Sequence, residues 1–343
     1  MNTTNCCLLS HTRSTFSSST SPSSLACHKR STAPVDDQEE PLDSRLQVLH
    51  LISDSKYPLY VVKSPSYEKK LCMKVFRNKK CCIVASFANE SRFLTLNHPN
   101  VIRILEAKDG QTLYGIKKEP ITASILLMEL AICDFSVLVT NPIFNQNEKL
   151  VRTYFRQLVE GLEYLHSEGV FHLDLKPGNL LLGQDYRLKI TDFDLSYQKD
   201  DVFMIGYGTK NFRAPELASR KCKKPQMADI YSLGIILFVM MTGAVPYFED
   251  ALVNGHDLYK SFLEEIHLYW LKFDVVTYHS YSLSEDFKQL LSGLVAKEPR
   301  KRFSIQQIKE SRWYNGPVCT LEELRQLIKT DFPEILLSSK CYC

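Results

Sequence analysis

The chain has 343 residues, 44% of them hydrophobic, which is enough to form the buried core of one two-lobed domain or of two ordinary ones. The formal net charge of +3 does not indicate binding to nucleic acid or to a membrane surface through bulk charge. No run of apolar residues is long enough to predict a membrane span. The 11 cysteines include no C-x-x-C pair, which favours reduced thiols in a cytoplasmic protein.

The first 41 residues differ in composition from the rest of the chain. Residues 1–35 are rich in Ser and Thr and contain Arg13, Lys29 and Arg30 but no acidic residue. An organelle transit peptide has such a composition. A disordered tail has it too, because it cannot bury enough apolar surface to offset its ordering entropy. The disordered tail is favoured for residues 1–41, since no amphipathic Arg-rich stripe is present.

Residues 42–131 are predicted to form a β-rich segment. Alternation of apolar residues and β-branched composition predict most of its elements. In chain order they are strands near residues 46–48, 60–62 and 71–76, a helix over 85–96, and strands over 101–105 and 125–130. The helix is expected to end before His98-Pro99, because proline breaks the helical hydrogen-bond ladder.

Residues 132–314 are predicted to be helical. The predicted helices cover residues 150–167, 229–242, 284–295 and 305–313. Residues 229–242 are apolar nearly all round, which predicts a buried central helix. Residues 315–343 are predicted to be a tail in which Thr320 and Glu323 form a capping box at the start of a short amphipathic helix over 321–328.

The strongest chemical signal is a set of ordered motifs in this second part. Residues 172–179 have the sequence HLDLKPGN, Asp192-Phe193-Asp194 follows, and Ala214-Pro215-Glu216 comes later. A carboxylate such as Asp174 is suited to orient a hydroxyl group and accept its proton. Asn179 and Asp192 supply the hard oxygen ligands that a divalent cation prefers.

These motifs, in this order and spacing, resemble those of the eukaryotic protein kinases of the Ser/Thr type. The resemblance covers about residues 46–313 and implies an α+β, two-lobed protein-kinase fold, with a small β-rich lobe (42–131) and a larger helical lobe (132–314). It implies ATP and Mg²⁺ as cofactors and a protein as substrate. By the same resemblance Asp174, Lys176 and Thr209 are catalytic, and Asn179 and Asp192 hold the metal.

The resemblance also assigns a nucleotide pocket. Lys74 is expected to hold the α- and β-phosphates, with Glu90 as its ion-pair partner. The other residues expected to contact the cofactor are Ile52, Tyr60, Cys72, Glu129, Ala131 and Leu181. The position above the adenine falls on Tyr60, or on Val62 if the alignment shifts by two residues.

Structural residues of the family are matched as well. Leu94, Ile104, His172 and Phe193 are expected to stack between the lobes, anchored by Asp229. A buried ion pair is expected between Glu216 and Arg302.

The chain departs from the family at its phosphate-binding loop. No glycine precedes Gly110, and Ser53, Ser55 and Pro58 align with the three glycines that the family uses. Glycine lets the backbone approach a phosphate closely, and proline has no N–H to donate. Weakened ATP binding is therefore expected.

Three further departures concern the catalytic and activation segments. Leu173 replaces the arginine before the catalytic aspartate, and Ile205 stands at the usual phosphate-acceptor position, so activation by phosphorylation there is not expected. Asp194 replaces a glycine, which predicts altered mobility but retained metal binding. Gly178 replaces a glutamate that many arginine-directed kinases use to read substrates, which puts a preference for basic residues in doubt.

Two functions from different classes follow. The first is an active Ser/Thr protein kinase, favoured because every chemical residue is present. The second is a pseudokinase acting as a nucleotide-binding or scaffolding module, supported by the glycine-free loop, Tyr60 and Leu173. A small-molecule kinase is disfavoured by Thr209 and the Ala-Pro-Glu motif. The stretch from Leu283 to Gly316 is most similar to the calcium/calmodulin-dependent and AMP-activated-related group. The helix from Leu321 carries only Arg325 and Lys329 as cations, which favours a plain docking helix for a regulatory partner over an autoinhibitory or calmodulin-binding segment.

Overall fold

The computed structural model describes residues 46–77, 81–114, 116, 119–201, 208–219, 221–247, 258–270 and 283–337. Contacts divide the chain into two units, Met1–Glu40 and Pro41–Cys343, and all the described residues lie in the second. The predicted tail of residues 1–41 lies outside the described residues.

The amino-terminal part of this unit is a five-stranded antiparallel sheet with one helix. The strands are β1 (Gln47–Ser53), β2 (Leu59–Ser64), β3 (Tyr67–Phe76), β4 (Ile104–Leu113) and β5 (Ile121–Glu129), in the order β1-β2-β3-β5-β4. Helix α1 (Cys81–Ser91) follows β3. Side chains alternate across the sheet, so Tyr60 and Val62 pack in a separate small core, whereas Val61 and Cys72 join the main core.

The carboxyl-terminal part is mainly helical. Its helices are α2 (Ser136–Val139), α3 (Pro142–Gln146), α4 (Glu148–Ser167), α5 (Pro215–Ala218), α6 (Pro225–Thr242), α7 (Leu258–Glu264), α8 (Glu285–Leu294), α9 (Ile305–Glu310), α10 (Leu321–Asp331) and α11 (Pro333–Leu337). Two short sheets complete it: β6 (Ala131–Asp134), β8 (Leu180–Gly183) and β9 (Leu188–Ile190) form one, and β7 (Val170–Phe171) pairs with β10 (Tyr197–Gln198) in the other. The predicted α+β, two-lobed architecture is confirmed.

Helix α6 is the centre of the helical lobe. It is buried from Ala228 to Met241 and packs against α4 and α8. By length and composition alone it could cross a membrane, and it is the one such helix among the described residues. Its burial inside the fold, with Asp229 fully enclosed, is that of a core helix.

The carboxyl-terminal segment corrects one prediction. The capping box of α10 is present: Thr320 Oγ1 accepts the Glu323 N–H at 3.2 Å, and the Glu323 carboxylate accepts the Thr320 N–H at 2.7 Å. However, Leu324, Ile328 and Phe332 are fully buried in the main core. The apolar face of α10 is therefore packed against the helical lobe. Residues 315–337 are part of that lobe and do not form a separate tail.

Two predicted boundaries in the amino-terminal part were also wrong. Helix α1 ends at Ser91, so Phe93 and Leu94 lie in the turn after it. Strand β4 begins at Ile104, and Val101 forms only an isolated bridge with Ile190.

The expected ion pair between Glu216 and Arg302 is present and buried. The Arg302 Nη1 and Nη2 atoms donate to the two Glu216 carboxylate oxygens at 2.6 and 2.8 Å. The guanidinium also donates to the carbonyls of Met227 and Ala296. It thereby joins α5, the start of α6 and the segment after α8, so its loss would leave several buried acceptors without a donor.

We expect Arg302→Ala to lower the free energy of unfolding by about 3–5 kcal/mol, because it leaves the Glu216 carboxylate buried and unpaired. Denaturant unfolding followed by circular dichroism measures this. The matched control is Lys301→Ala, which removes an exposed pair with Glu298 and should change stability by less than about 0.5 kcal/mol. Equal effects of the two variants would contradict the assigned role of the buried pair.

Candidate active site

A cavity of about 230 Å³ lies where the sheet meets the helical lobe. Its apolar wall is formed by Leu59, Cys72, Met128, Ala131 and Leu181. Its polar end carries Lys74, Glu90, Asn179 and Asp192. A flat apolar group fits between such walls, and a charged group fits at the polar end.

Lys74 is the central charge of the polar end. Strand β3 carries it into the cleft, where its Nζ donates to Glu90 Oε2 on α1 and to Asp192 Oδ1, both at 2.6 Å. Lys74 and Glu90 are almost fully buried, whereas the Asp192 side chain is 34% exposed. Two carboxylates from distant parts of the chain therefore share one ammonium group.

Burial and charge compete in the pKa values of this cluster. Burial alone would lower the pKa of Lys74, but the charges of Glu90 and Asp192 outweigh it and raise the pKa. Burial raises the pKa of Glu90 to about 7, despite the nearby ammonium. Burial also opposes ionisation of Asp192, yet the Lys74 charge lowers the pKa of Asp192. Lys74 and Asp192 are consequently held in their charged forms.

A second cluster surrounds Asp174. Thr209 donates its hydroxyl to Asp174 Oδ1 at 2.6 Å, and Lys176 Nζ donates to Asp174 Oδ2 and to Thr209 Oγ1, both at 2.8 Å. The Asn179 amide donates to Asp174 Oδ2 at 3.1 Å. The three residues predicted to be catalytic are thus in direct contact, and Asn179 connects them to the cavity.

The loop that carries Asp174 is fixed by Asp229. This buried carboxylate on α6 accepts the backbone N–H groups of His172 at 2.9 Å and Leu173 at 2.7 Å. It also lies 2.9 Å from His166 Nε2. Leu173 has a φ of +61°, a conformation unfavourable for a leucine. The two hydrogen bonds hold the backbone in this strained shape immediately before Asp174.

Asn179 and Asp192 fit the ligand set of a magnesium ion. Both line the same cavity, and the Thr191 N–H donates to the Asn179 carbonyl at 3.0 Å, which holds the two segments together. Among the residues that the structure describes, no group of three or more His, Cys, Asp or Glu side chains is placed to bind a metal. A site with two protein oxygen ligands suits Mg²⁺, which takes its remaining ligands from phosphates and water.

Tyr60 was wrongly predicted to lie above the cofactor, and Val62 does not lie there either. In the β2–β3 pair, Leu59 is directly opposite Lys74 and Val61 is opposite Cys72. Opposite residues share a face of a sheet. Leu59 and Val61 therefore lie on the cavity side, and Tyr60 and Val62 point to the other face, into the small core.

Most other predicted pocket residues line the cavity, but Ile52 does not. Cys72, Glu129, Ala131 and Leu181 are at its wall. Ile52, on β1, is partly buried against the main core and is not among the described residues that form the wall. The Glu129 side chain turns towards Lys189, 3.1 Å away, and the Glu129 N–H donates to the Arg103 carbonyl at 3.1 Å.

The turn between β1 and β2 differs from a glycine-rich loop in a specific way. With Leu59 at the cavity, the glycine positions fall on Ile52, Asp54 and Tyr57, one residue earlier than predicted. No residue from 46 to 77 has a positive φ, so the turn does not use the backbone conformations that require glycine.

Tyr57, which sequence reasoning missed, closes the cavity beside Lys74. Its side chain is buried, and its hydroxyl donates to Ser86 Oγ on α1 at 2.6 Å. Its ring packs on Phe76 with centroids 4.8 Å apart, and Lys74 Nζ lies 5.1 Å from the ring centroid. The tyrosine therefore takes space near the ammonium group that would receive phosphates.

The interlobe stack also needs one correction. Leu94 is 37% exposed, whereas Phe93 is buried and packs on Phe193 with centroids 5.4 Å apart. Phe193 in turn packs on His172 at 5.3 Å. The early end of α1 explains the error, because the chain turns after Ser91 and brings Phe93 inward in place of Leu94.

Asp194 does not occupy a backbone position that needs glycine. The left-handed residue of this motif is Asp192, with a φ of +69°. The carbonyls of Phe193, Asp194 and Ser196 instead accept hydrogen bonds from the side-chain amide of Asn89, at 3.2, 2.9 and 3.0 Å. Asn89 was not predicted. Its position next to Glu90 on α1 was the feature of the sequence that could have indicated a role at the site.

The sheet, the helical lobe and the two polar clusters between them define a protein kinase domain. The family model described as "Protein kinase domain" matches residues 59–314. The chain belongs to this family.

Curated relatives agree with this assignment. The chain is 28% identical over 270 residues to CBL-interacting protein kinase 28 of Oryza sativa subsp. japonica, an alignment that covers 76% of this chain and 57% of the relative. It is 33% identical over 222 residues to CBL-interacting serine/threonine-protein kinase 8 of Arabidopsis thaliana, covering 64% of this chain and 45% of the relative. The chain thus spans about half the length of the curated relatives it matches.

The burial of Glu90 leads to a pH prediction. Because its pKa is raised to about 7, Glu90 becomes protonated below that pH and its attraction for Lys74 weakens. We expect kcat/KM for ATP to fall roughly tenfold between about pH 8 and about pH 6, as one ionisation near neutrality requires. Steady-state kinetics across this range measures the change.

Two variants assign the titration. Glu90→Gln should be slower at every pH and lack this acidic limb. Asp194→Asn should keep the limb, although burial also raises the pKa of Asp194. A limb that persists in Glu90→Gln would show that another group titrates.

Proposed function

We propose that this chain is an active, cytoplasmic Ser/Thr protein kinase that uses ATP and Mg²⁺ and needs no phosphate on its activation segment. One observation carries the proposal. Lys74 is bonded at once to Glu90 and Asp192, and the Asp174 cluster lies next to Asn179 in the same cleft. These are the groups that phosphoryl transfer needs in one place.

Each of these residues has its own role in the proposed phosphoryl transfer. The Asp174 carboxylate orients the substrate hydroxyl and accepts its proton as the bond between the hydroxyl oxygen and the γ-phosphorus of ATP forms. The bond between the γ-phosphorus and the oxygen of the β-phosphate breaks in the same step, and ADP leaves. Lys176, 2.8 Å from that carboxylate, stabilises negative charge on the transferred phosphoryl group. Lys74 holds the remaining phosphates. Mg²⁺, held by Asn179 and Asp192, would neutralise charge on the nucleotide when bound.

The cytoplasmic location is proposed because Cys72, Cys222 and Cys319, in the part of the chain that the structure describes, are free thiols. Free thiols are typical of a reducing compartment.

Independence from phosphorylation is proposed because Leu173 is buried in the main core and gives the catalytic loop no cation at that position. The predicted acceptor position, Ile205, lies outside the described residues.

A regulatory partner at α10 finds less support than the sequence suggested. The names of the relatives describe them as CBL-interacting. In this chain the apolar face of α10 is buried by Leu324 and Ile328. A partner would have to use the outer face, where Glu322, Arg325 and Leu321 are exposed.

A decisive test is transfer of γ-phosphate from Mg²⁺-ATP to generic protein substrates by the wild type and by Asp174→Asn. We expect transfer by the wild type and a loss of about 10²–10⁴-fold in the variant, since general-base catalysis contributes on that order. The thermal shift that ATP induces should be the same in both proteins.

The pseudokinase is the alternative outcome of this experiment, and the position of Tyr57 beside Lys74 is the observation that favours it. No transfer by either protein, with the thermal shift retained, would establish a nucleotide-binding module and overturn the proposed activity.

We also expect a KM for ATP above that of kinases with the three glycines of the phosphate-binding loop. The turn lacks glycine, Tyr57 lies beside Lys74, and the Ser55 hydroxyl is already bonded to the Tyr57 carbonyl at 2.9 Å. Loss of one hydrogen bond to a charged phosphate weakens binding about tenfold. Tyr57→Gly should therefore lower KM for ATP, and Ser66→Gly, in the exposed turn between β2 and β3, is the matched control. An unchanged KM in Tyr57→Gly would contradict this account of the turn.

A further inference from the structure

The turn after helix α1 is joined by a bidentate ion pair to the activation segment, the part of the chain between Asp192 and Glu216. Arg92 Nη1 donates to Asp201 Oδ1 at 2.8 Å, and Arg92 Nη2 donates to Asp201 Oδ2 at 2.7 Å. The two residues are 109 positions apart in the chain. Their side chains are 30% and 24% exposed, so the pair is partly shielded from water. Paired hydrogen bonds of this geometry are the strong form of the arginine–carboxylate interaction.

Asp201 is held in place by β10, which pairs with the strand that precedes the catalytic loop. Its carboxylate accepts the Gln198 N–H at 2.8 Å, and its carbonyl accepts the Tyr197 hydroxyl at 3.2 Å. Tyr197 and Gln198 form β10, which pairs with β7. Strand β7 ends at Phe171, immediately before the residues that carry Asp174. Asp201 is therefore connected to the catalytic loop through β10 and β7.

Arg92 is also connected to the residues around the nucleotide site. It follows Glu90 by two residues, and its guanidinium lies 5.0 Å from the centroid of the Phe93 ring. Phe93 packs on Phe193. The Asn89 amide adds three hydrogen bonds to the same segment. The end of α1 that presents Glu90 to Lys74 is thus connected to the activation segment through Asn89, Arg92 and Phe93.

We propose that Arg92 and Asp201 are positioning residues that replace an activation-segment phosphate, holding α1 and the catalytic loop together in the unmodified protein. This inference rests on the proposed kinase activity. A fixed carboxylate supplies the negative charge that a phosphate would add elsewhere in the segment, and an arginine immediately after α1 supplies the receiving cation. Hydrogen bonding from Arg92 also lowers the pKa of Asp201, which keeps the carboxylate charged at neutral pH.

The kinetic test uses Arg92→Ala, Asp201→Asn and the double variant. We expect each single change to lower kcat by about five- to tenfold, because it removes a bidentate ion pair that is partly shielded from water. The double variant should be no slower than the slower single variant, because the two residues act through one interaction. Phosphatase treatment should leave the wild-type rate unchanged. The control is Arg325→Ala, which breaks an exposed pair with Glu322 and should keep the full rate.

A second measurement does not require activity. Amide hydrogen exchange in Cys81–Ser91 and Tyr197–Gln198 should be faster in Arg92→Ala than in the wild type, while exchange in α6 stays the same. If the wild type transfers no phosphate, the proposed function fails, and the exchange experiment still tests the ion pair.

Three outcomes would overturn the inference. The first is a rate of amide hydrogen exchange in Arg92→Ala that equals the wild-type rate both in Cys81–Ser91 and in Tyr197–Gln198. The second is a fold-loss of kcat in the double variant that equals the product of the fold-losses in the two single variants. The third is a wild-type rate that is lost on phosphatase treatment.

Discussion

The shared ammonium group of Lys74 is the interaction on which the rest of this site depends. A buried charge is unfavourable unless it is paired and hydrogen-bonded. Lys74 meets that condition only when α1 brings Glu90, and the segment after β9 brings Asp192, to within 2.6 Å of its Nζ. Three separate elements must therefore be in place at once. The same pairing that stabilises the charge fixes the polar end of the cavity.

A second buried charge, that of Asp229, fixes the position of the catalytic loop. Asp229 lies inside the apolar helix α6 and is satisfied by two backbone N–H groups and His166. Those bonds hold Leu173 in a left-handed conformation and so direct Asp174 towards Lys176 and Thr209. Because α6 is packed on all sides, the loop is attached to the most rigid part of the fold. Catalytic geometry here is a consequence of core packing.

The departures of this chain from its family lie around the chemical groups, not among them. Tyr57 takes the place of a glycine and contacts α1, and Leu173 takes the place of an arginine and joins the core. Tyr57 lies beside Lys74 at the cavity, and Leu173 immediately precedes Asp174. Neither removes a group that touches the transferred phosphate. Such a pattern alters binding before chemistry.

The sequence by itself determined the fold class, the central helix and most residues of the two polar clusters, because ordered motifs such as residues 172–179 place them in register. It did not determine which face of β2 meets the cavity. A shift of one residue exchanges the two faces of a strand, and only the pairing of Leu59 with Lys74 decided it. The tertiary structure alone also decided that Phe93 replaces Leu94 and that α10 packs into the core. It alone brought Arg92 to Asp201. Each of these depends on contacts between residues far apart in the chain, and local patterns carry no information about such contacts.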